Sequence, residues 1–169
     1  MELWDIYDRQ RRTTGRFHVR GTPMGRGEYH LTAFVWVFNR QRELLLTRRA
    51  PEKEHYANCW AATGGAALVG ETSLQTVRRE LREETGLKAE EWRKLVALRT
   101  TPGFCNETIH MYMARGLSQG ERDLDDDEFL NVEWMPIERV TNMILEGRIE
   151  DSKTIAAVLM AKEILNQQA

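Results

Sequence analysis

Apolar residues in this chain fall into short runs with two different periods. LTAFVWVF (31–38) and ELLLTRR (43–49) are nearly continuous, the pattern of strands covered on both faces. The polar stretch NRQR separates them, so 29–39 and 43–49 are expected to pair as a hairpin. CWAAT (59–63) suits a short strand. Residues 94–101, 108–117 and 129–136 are further strand candidates, the last ended by Pro136. Residues 3–20 suit an N-terminal hairpin with its turn at Thr14-Gly15, and GTPMGRGE (21–28) reads as a loop.

The period changes to that of a helix in three places. Leu74, Val77 and Leu81 recur at helical spacing between Thr72, an N-cap with Gln75 three residues on, and Gly86, suited to the left-handed position after a helix. IERVTNMILEG (137–147) is a second helix, with Gly147 just past its end. Residues 151–168 form a third, its expected buried face carrying Ile155, Val158, Leu159, the Lys162 stem and Leu165. Strands interleaved with helices predict an α/β (α+β) fold in which a mixed sheet lies between helices. One domain over 1–169 is expected, with 1–28 as a hairpin extension and 29–169 as the core.

Composition narrows the function. The 169 residues carry a net charge of −2, which gives no nucleic-acid or anionic-membrane signal. No apolar run approaches the ~20 residues that span a bilayer, and residues 1–12 lack a signal-peptide core, so a cytoplasmic protein is expected. Cys59 and Cys105 make neither a disulfide framework nor a zinc motif and are expected as reduced packing residues.

The chemistry is concentrated in GGAALVGETSLQTVRRELREETGL (64–87). Glu80, Glu83 and Glu84 fall on one side of the first helix, beside its apolar stripe. Like charges at i, i+3 and i+4 cost ~0.2–0.5 kcal/mol per pair, and the helix dipole disfavours anions near its C-terminus. Arg78, Arg79 and Arg82 offset part of this, so a solvated, salt-bridged face is one reading. The other is a hard divalent cation held by carboxylates and substrate phosphate oxygens, with the preceding glycines letting backbone and phosphate approach closely.

Residues 65–87 resemble a complete Nudix box: Gly65, Glu71, Arg79-Glu80-Leu81, Glu83-Glu84 and Gly86-Leu87 stand at the family's spacing. The resemblance implies the Nudix fold and hydrolysis of a nucleoside diphosphate derivative with Mg²⁺ or Mn²⁺. It implies that Glu80, Glu83 and Glu84 ligate metal, with the Gly65 carbonyl as a further ligand. Glu80 or Glu84 would help activate water, Arg79 would orient a glutamate, and Glu71 would hold the turn before the helix. The partner would be a small nucleotide, neither nucleic acid nor membrane. The hairpin suits either a cover over the substrate pocket or a homodimer interface.

The flanking stretches 29–60 and 125–134 are similar to the isopentenyl-diphosphate isomerase branch of that superfamily. Its catalytic cysteine falls on Gly64 here, and a metal histidine on Ala66. A hydrolase of that subgroup is therefore expected, with isomerase activity and a non-catalytic ligand-binding domain as alternatives. Outside the box, Arg48 and Arg49 suit a phosphate clamp or plain surface charge. Trp60, Tyr56 and Phe104 suit base stacking or packing. Glu107 and the acidic run 125–128, Asp127 and Glu128 above all, suit a further carboxylate of the site or a solvated loop. His30 is expected as a partly buried histidine.

Overall fold

The computed structural model describes residues 1–48, 51, 57–120 and 131–168. Two strands, β1 (Leu3–Tyr7) and β2 (Thr13–Val19), form the N-terminal hairpin. The main sheet contains β3 (Thr32–Phe38), β4 (Glu43–Arg48), β5 (Trp60–Ala61), β6 (Thr63–Ala66), β7 (Leu87–Arg99), β8 (Thr108–Gln119) and β9 (Asn131–Pro136). Its central path runs β5-β4-β3-β8-β7, with β6 also on β3 and β9 also on β4. β3 and β8 are parallel and the other pairs antiparallel, so the sheet is mixed as expected. The helices are α1 (Ser73–Thr85), α2 (Ile137–Leu145) and α3 (Ser152–Gln167).

The continuous apolar runs are buried on both faces of the sheet. On β3 and β4, Trp36, Phe38, Leu44 and Leu46 join one core with α2 and α3. Val35, Val37 and Leu45 join a second core with Val77 and Leu81 of α1. Helix α1 is therefore fixed by its own apolar stripe, and its carboxylates sit where that stripe leaves them. Both ends of α1 carry their expected caps: Thr72 and Gln75 form the capping box, and Gly86 takes a left-handed φ of 71°. Gly147 takes φ 70° just past α2, where a left-handed residue closes the helix.

Several boundaries differ from the sequence expectations. The hairpin turns at Asp8–Arg12, not at Thr14-Gly15. The Asp8 carboxylate accepts from the backbone N–H groups of Gln10 (2.8 Å) and Arg12 (2.9 Å) and makes the turn itself. Gly15 lies inside β2. β3 begins at Thr32, and Tyr29 instead bridges Tyr7 of the hairpin. β7 starts at Leu87, seven residues earlier than expected, because Leu87, Ala89 and Trp92 pack against the α1 side of the core. On α3, Leu159 is 46% exposed while Thr154, Ala157 and Ala161 are buried. Those small residues let α3 lie close to the sheet and turn Leu159 outward.

The turn into α1 is held by one carboxylate. Glu71 accepts from Leu68 N–H (2.9 Å), Thr76 Oγ1 (3.2 Å) and Arg79 Nε (2.9 Å). Partial burial alone would raise its pKa. The Arg79 hydrogen bond and charge, with the Leu68 and Thr76 bonds, outweigh that and hold it below the ordinary glutamate value of 4.5. Glu71 thus stabilises the fold fully above that ordinary value, and the contribution is lost as pH falls through the depressed one.

Two measurements check this account. Leu81→Ala, at a fully buried position, is expected to cost about 2–5 kcal/mol by denaturant unfolding, while Leu159→Gln changes stability by no more than about 0.5 kcal/mol. Glu71→Gln is expected to lower stability by about 1–3 kcal/mol at pH 7, with the gap to wild type narrowing as both are titrated from pH 5 to pH 3. A gap that stays constant with pH would show that the Glu71 charge does not stabilise the turn.

Candidate active site

The centre of the site is Arg79, whose side chain is 16% exposed. Its Nε and Nη2 donate to the two oxygens of Glu71 at 2.9 and 3.2 Å. Nη2 also donates to the Ala66 carbonyl at 2.9 Å, and Nη1 lies 2.9 Å from Glu83 Oε2 and 3.0 Å from Glu80 Oε1. One planar cation thereby joins the loop 66–71 to two of the three helix glutamates. Burial pulls the guanidinium pKa down. The hydrogen bonds and charges of Glu71, Glu80 and Glu83 more than reverse this, so the net shift is upward and Arg79 is a fixed positive charge.

Around this cation the glutamates differ. Glu83 has a second partner, Arg82 Nη2 at 3.2 Å. Glu84 is buried, with 7% of its surface exposed. Glu80 lies against the backbone of Gly65: a Cβ added there would stand 2.5 Å from Glu80 Oε1. The glycine therefore leaves the space the carboxylate occupies. Among the described residues, no three His, Cys, Asp or Glu side chains are gathered as a ready cation cage. Arg79 Nη1 stands between Glu80 and Glu83 instead.

These groups line a cleft of about 1080 Å³ together with Gly64, Gly65 and Ala66. A second wall comes from the N-terminal hairpin. Trp4 of β1 stacks on His30 with ring centroids 4.5 Å apart and 19° between planes, and both line the cleft. Burial lowers the His30 pKa, the neighbouring His18 adds to this, and Glu107 opposes it. The hairpin is tied to the loop before α1: Val69 N–H donates to Leu3 O (3.0 Å) and Gly70 N–H to Asp5 Oδ2 (2.7 Å). Glu2, Trp4 and Arg20 place the hairpin on the cleft wall. A third wall is the corner between α2 and α3, residues 147–153.

The residues expected outside the box are less closely grouped. Trp60 lines the cleft. Arg48 lies with its guanidinium carbon 5.6 Å from the Trp60 ring centroid and donates to Asn58 O at 3.2 Å, but it is exposed and does not line the cleft. Phe104 is 90% exposed and is not among the residues that line the cleft. Arg49, Tyr56, Asp127 and Glu128 lie outside the described residues. Cys59, expected as a packing residue, is exposed on the cleft wall. Sequence reading missed Trp4 and Lys153. Both depend on contacts between distant segments, and neither sits in a motif.

Comparison with known proteins agrees with this architecture. The NUDIX domain family matches residues 28–158. An uncharacterised Nudix hydrolase of Listeria monocytogenes is 42% identical over 88 residues, covering 52% of this chain and 52% of the relative. The ADP-ribose pyrophosphatase of Bacillus subtilis is 38% identical over 103 residues, covering 59% and 56%. The chain spans about half the length of these curated relatives. The isopentenyl-diphosphate Delta-isomerase of Pectobacterium atrosepticum is more distant, 29% identical over 125 residues, covering 71% and 69%. A crystal structure from Deinococcus radiodurans superposes with a TM-score of 0.65 at 25% identity, covering 93% of this chain and 97% of that one. The helix that carries its carboxylates on a glycine-backed cleft wall thus lies within the matched segment, and the chain belongs to the NUDIX family.

Proposed function

We propose that this protein hydrolyses a diphosphate linkage in a nucleoside diphosphate derivative. The observation that carries the reading is the acidic wall itself. Glu80, Glu83 and Glu84 face a cleft large enough for a nucleotide, and Glu80 and Glu83 are held by an arginine that also grips the loop beneath them. The likeness to an ADP-ribose pyrophosphatase supports the same class of bond.

The donor set suits Mg²⁺ or Mn²⁺. All side-chain candidates are hard carboxylate oxygens, and the missing side chain at Gly65 leaves the Glu80 carboxylate room against the backbone. Glu80, Glu83, Glu84 and the Gly65 carbonyl would hold such an ion. When bound, it would acidify water and offset negative charge on the phosphate oxygens.

The chain's own groups do the rest. A carboxylate oxygen of Glu80 or Glu84 accepts a proton from water as the water oxygen bonds to phosphorus. The bridging P–O bond breaks, its electrons stay with the leaving phosphate oxygen, and the products are two phosphate esters. Arg79 keeps Glu80 and Glu83 oriented, and Glu71 keeps Arg79 in place.

The isomerase alternative meets a steric objection. Gly64, where the isomerase cysteine would fall, has φ 150°, and a Cβ there would collide with the Ala33 carbonyl oxygen and lie 2.7 Å from Phe34 Cα. A side chain at that step needs the backbone to move.

A panel of nucleoside diphosphate derivatives with Mg²⁺, scored for released mononucleotide, tests the reading. Turnover is expected to vanish with EDTA. Glu83→Gln is expected to lower kcat about 100-fold or more with the circular dichroism spectrum unchanged, and Mg²⁺ to raise the Tm of wild type more than that of the variant. Near-normal turnover in Glu83→Gln would remove the metal assignment. Conversion of isopentenyl diphosphate to its isomer, without hydrolysis of the panel, would replace the reading.

A further inference from the structure

The hydrolytic reading places metal and phosphate at the glutamate wall and leaves the cleft wall at the corner before α3 without a task. Phe34 of β3 lies beside that corner. Lys153, in the first turn of α3, lines the cleft with its ammonium 4.9 Å from the centroid of the Phe34 ring. The Phe34 side chain in turn lies beside Gly64, next to the Gly65 step that backs Glu80.

The ammonium is held, yet it keeps donors to spare. Asp151 Oδ1 accepts from it at 2.7 Å, and the other Asp151 oxygen caps α3 by accepting from Thr154 N–H at 3.1 Å. The lysine side chain is 18% exposed. An ammonium has three N–H donors; Asp151 takes one, and the ring face of Phe34 fixes where the nitrogen sits.

The charge around this corner decides what it can hold. Arg148 and Lys153 are matched by Glu150 and Asp151 on the same wall, and Arg148 is already paired with Glu146 at 2.7 Å. A phosphate brought here would lie beside two carboxylates with no net positive charge to compensate. An uncharged acceptor suffers no such repulsion. A pinned donor in a neutral corner suits an uncharged acceptor on the edge of a heteroaromatic ring.

We infer that Lys153 is a specificity-determining residue that donates a hydrogen bond to an acceptor atom of the substrate's nucleobase at the cleft wall formed by the corner before α3. The inference rests on the hydrolytic reading for the direction in which substrate lies, but binding tests it without turnover. Calorimetry with adenosine, guanosine, cytidine and uridine, and with their 5′-monophosphates, is done in EDTA on wild type and Lys153→Met. The methionine keeps an apolar stem over Phe34 and removes the donor.

At least one nucleoside is expected to bind wild type. Loss of one hydrogen bond is expected to weaken that nucleoside and its monophosphate equally in Lys153→Met, by about three- to tenfold, and Lys153→Arg recovers part of the loss. Weakening confined to the monophosphate would make Lys153 a phosphate clamp and overturn the inference. So would unchanged affinities, or no nucleoside binding to wild type. Failure of the hydrolytic reading shows separately, as absence of metal-dependent turnover in the panel while nucleosides still bind and still depend on Lys153.

Discussion

A partly buried guanidinium among carboxylates sets the geometry on which this structure depends. Without Arg79, three glutamates on one side of a helix would repel one another at the end where the helix dipole already disfavours them. With it, Glu71, Glu80 and Glu83 converge on one cation, and the Ala66 carbonyl uses a donor the carboxylates leave over. Ionised groups away from bulk water are costly unless their bonding capacity is nearly filled. Here the planar fork of arginine fills it, and a lysine in its place would supply neither the reach nor the directions. The loop before α1 and the chemistry along α1 are therefore one mechanical unit.

The hairpin extends that unit beyond the segment that matches the family. Its backbone and Asp5 bind the loop at Val69 and Gly70, and its Trp4 stacks on His30. Arg11 Nη2 adds a hydrogen bond to Thr108 Oγ1 at the start of β8. The first twenty residues thus touch both the turn that leads into the acidic helix and the sheet below it. Their packing bears on the shape of the cleft as well as on stability.

Much of this was legible in the sequence, because much of it is local. The capping box, the left-handed Gly86, the stripe Leu74–Val77–Leu81 and the carboxylates beside it are all set within about four turns of chain. The hairpin of β3 and β4 followed from two apolar runs and a polar break. Glycine chemistry misled at Gly15, where a left-handed residue sits within a strand, while Arg11 takes φ 63° in the real turn. There the Asp8 side chain supplied the bonds that decided the turn. The expected face of α3 is buried at Val158 and Leu165, with Ile155 against the core, and the departure is Leu159, which faces out while Ala157 and Ala161, weak signals of burial, face in. Lys153 and Trp4 were invisible for a different reason. Their importance comes from what distant strands place opposite them, and no spacing along the chain encodes that.

Gly64 has a consequence for how chemistries within such a fold are separated. Its neighbour across the β3–β6 ladder, Phe34, and the Ala33 carbonyl fill the volume a side chain would need. A single codon change could write cysteine at this position, but the polypeptide path could not receive it. Descent from a chain of this kind to one with a nucleophile on that strand would have to begin by re-routing the backbone of β6. At this step of the strand, main-chain shape limits which side chains can follow.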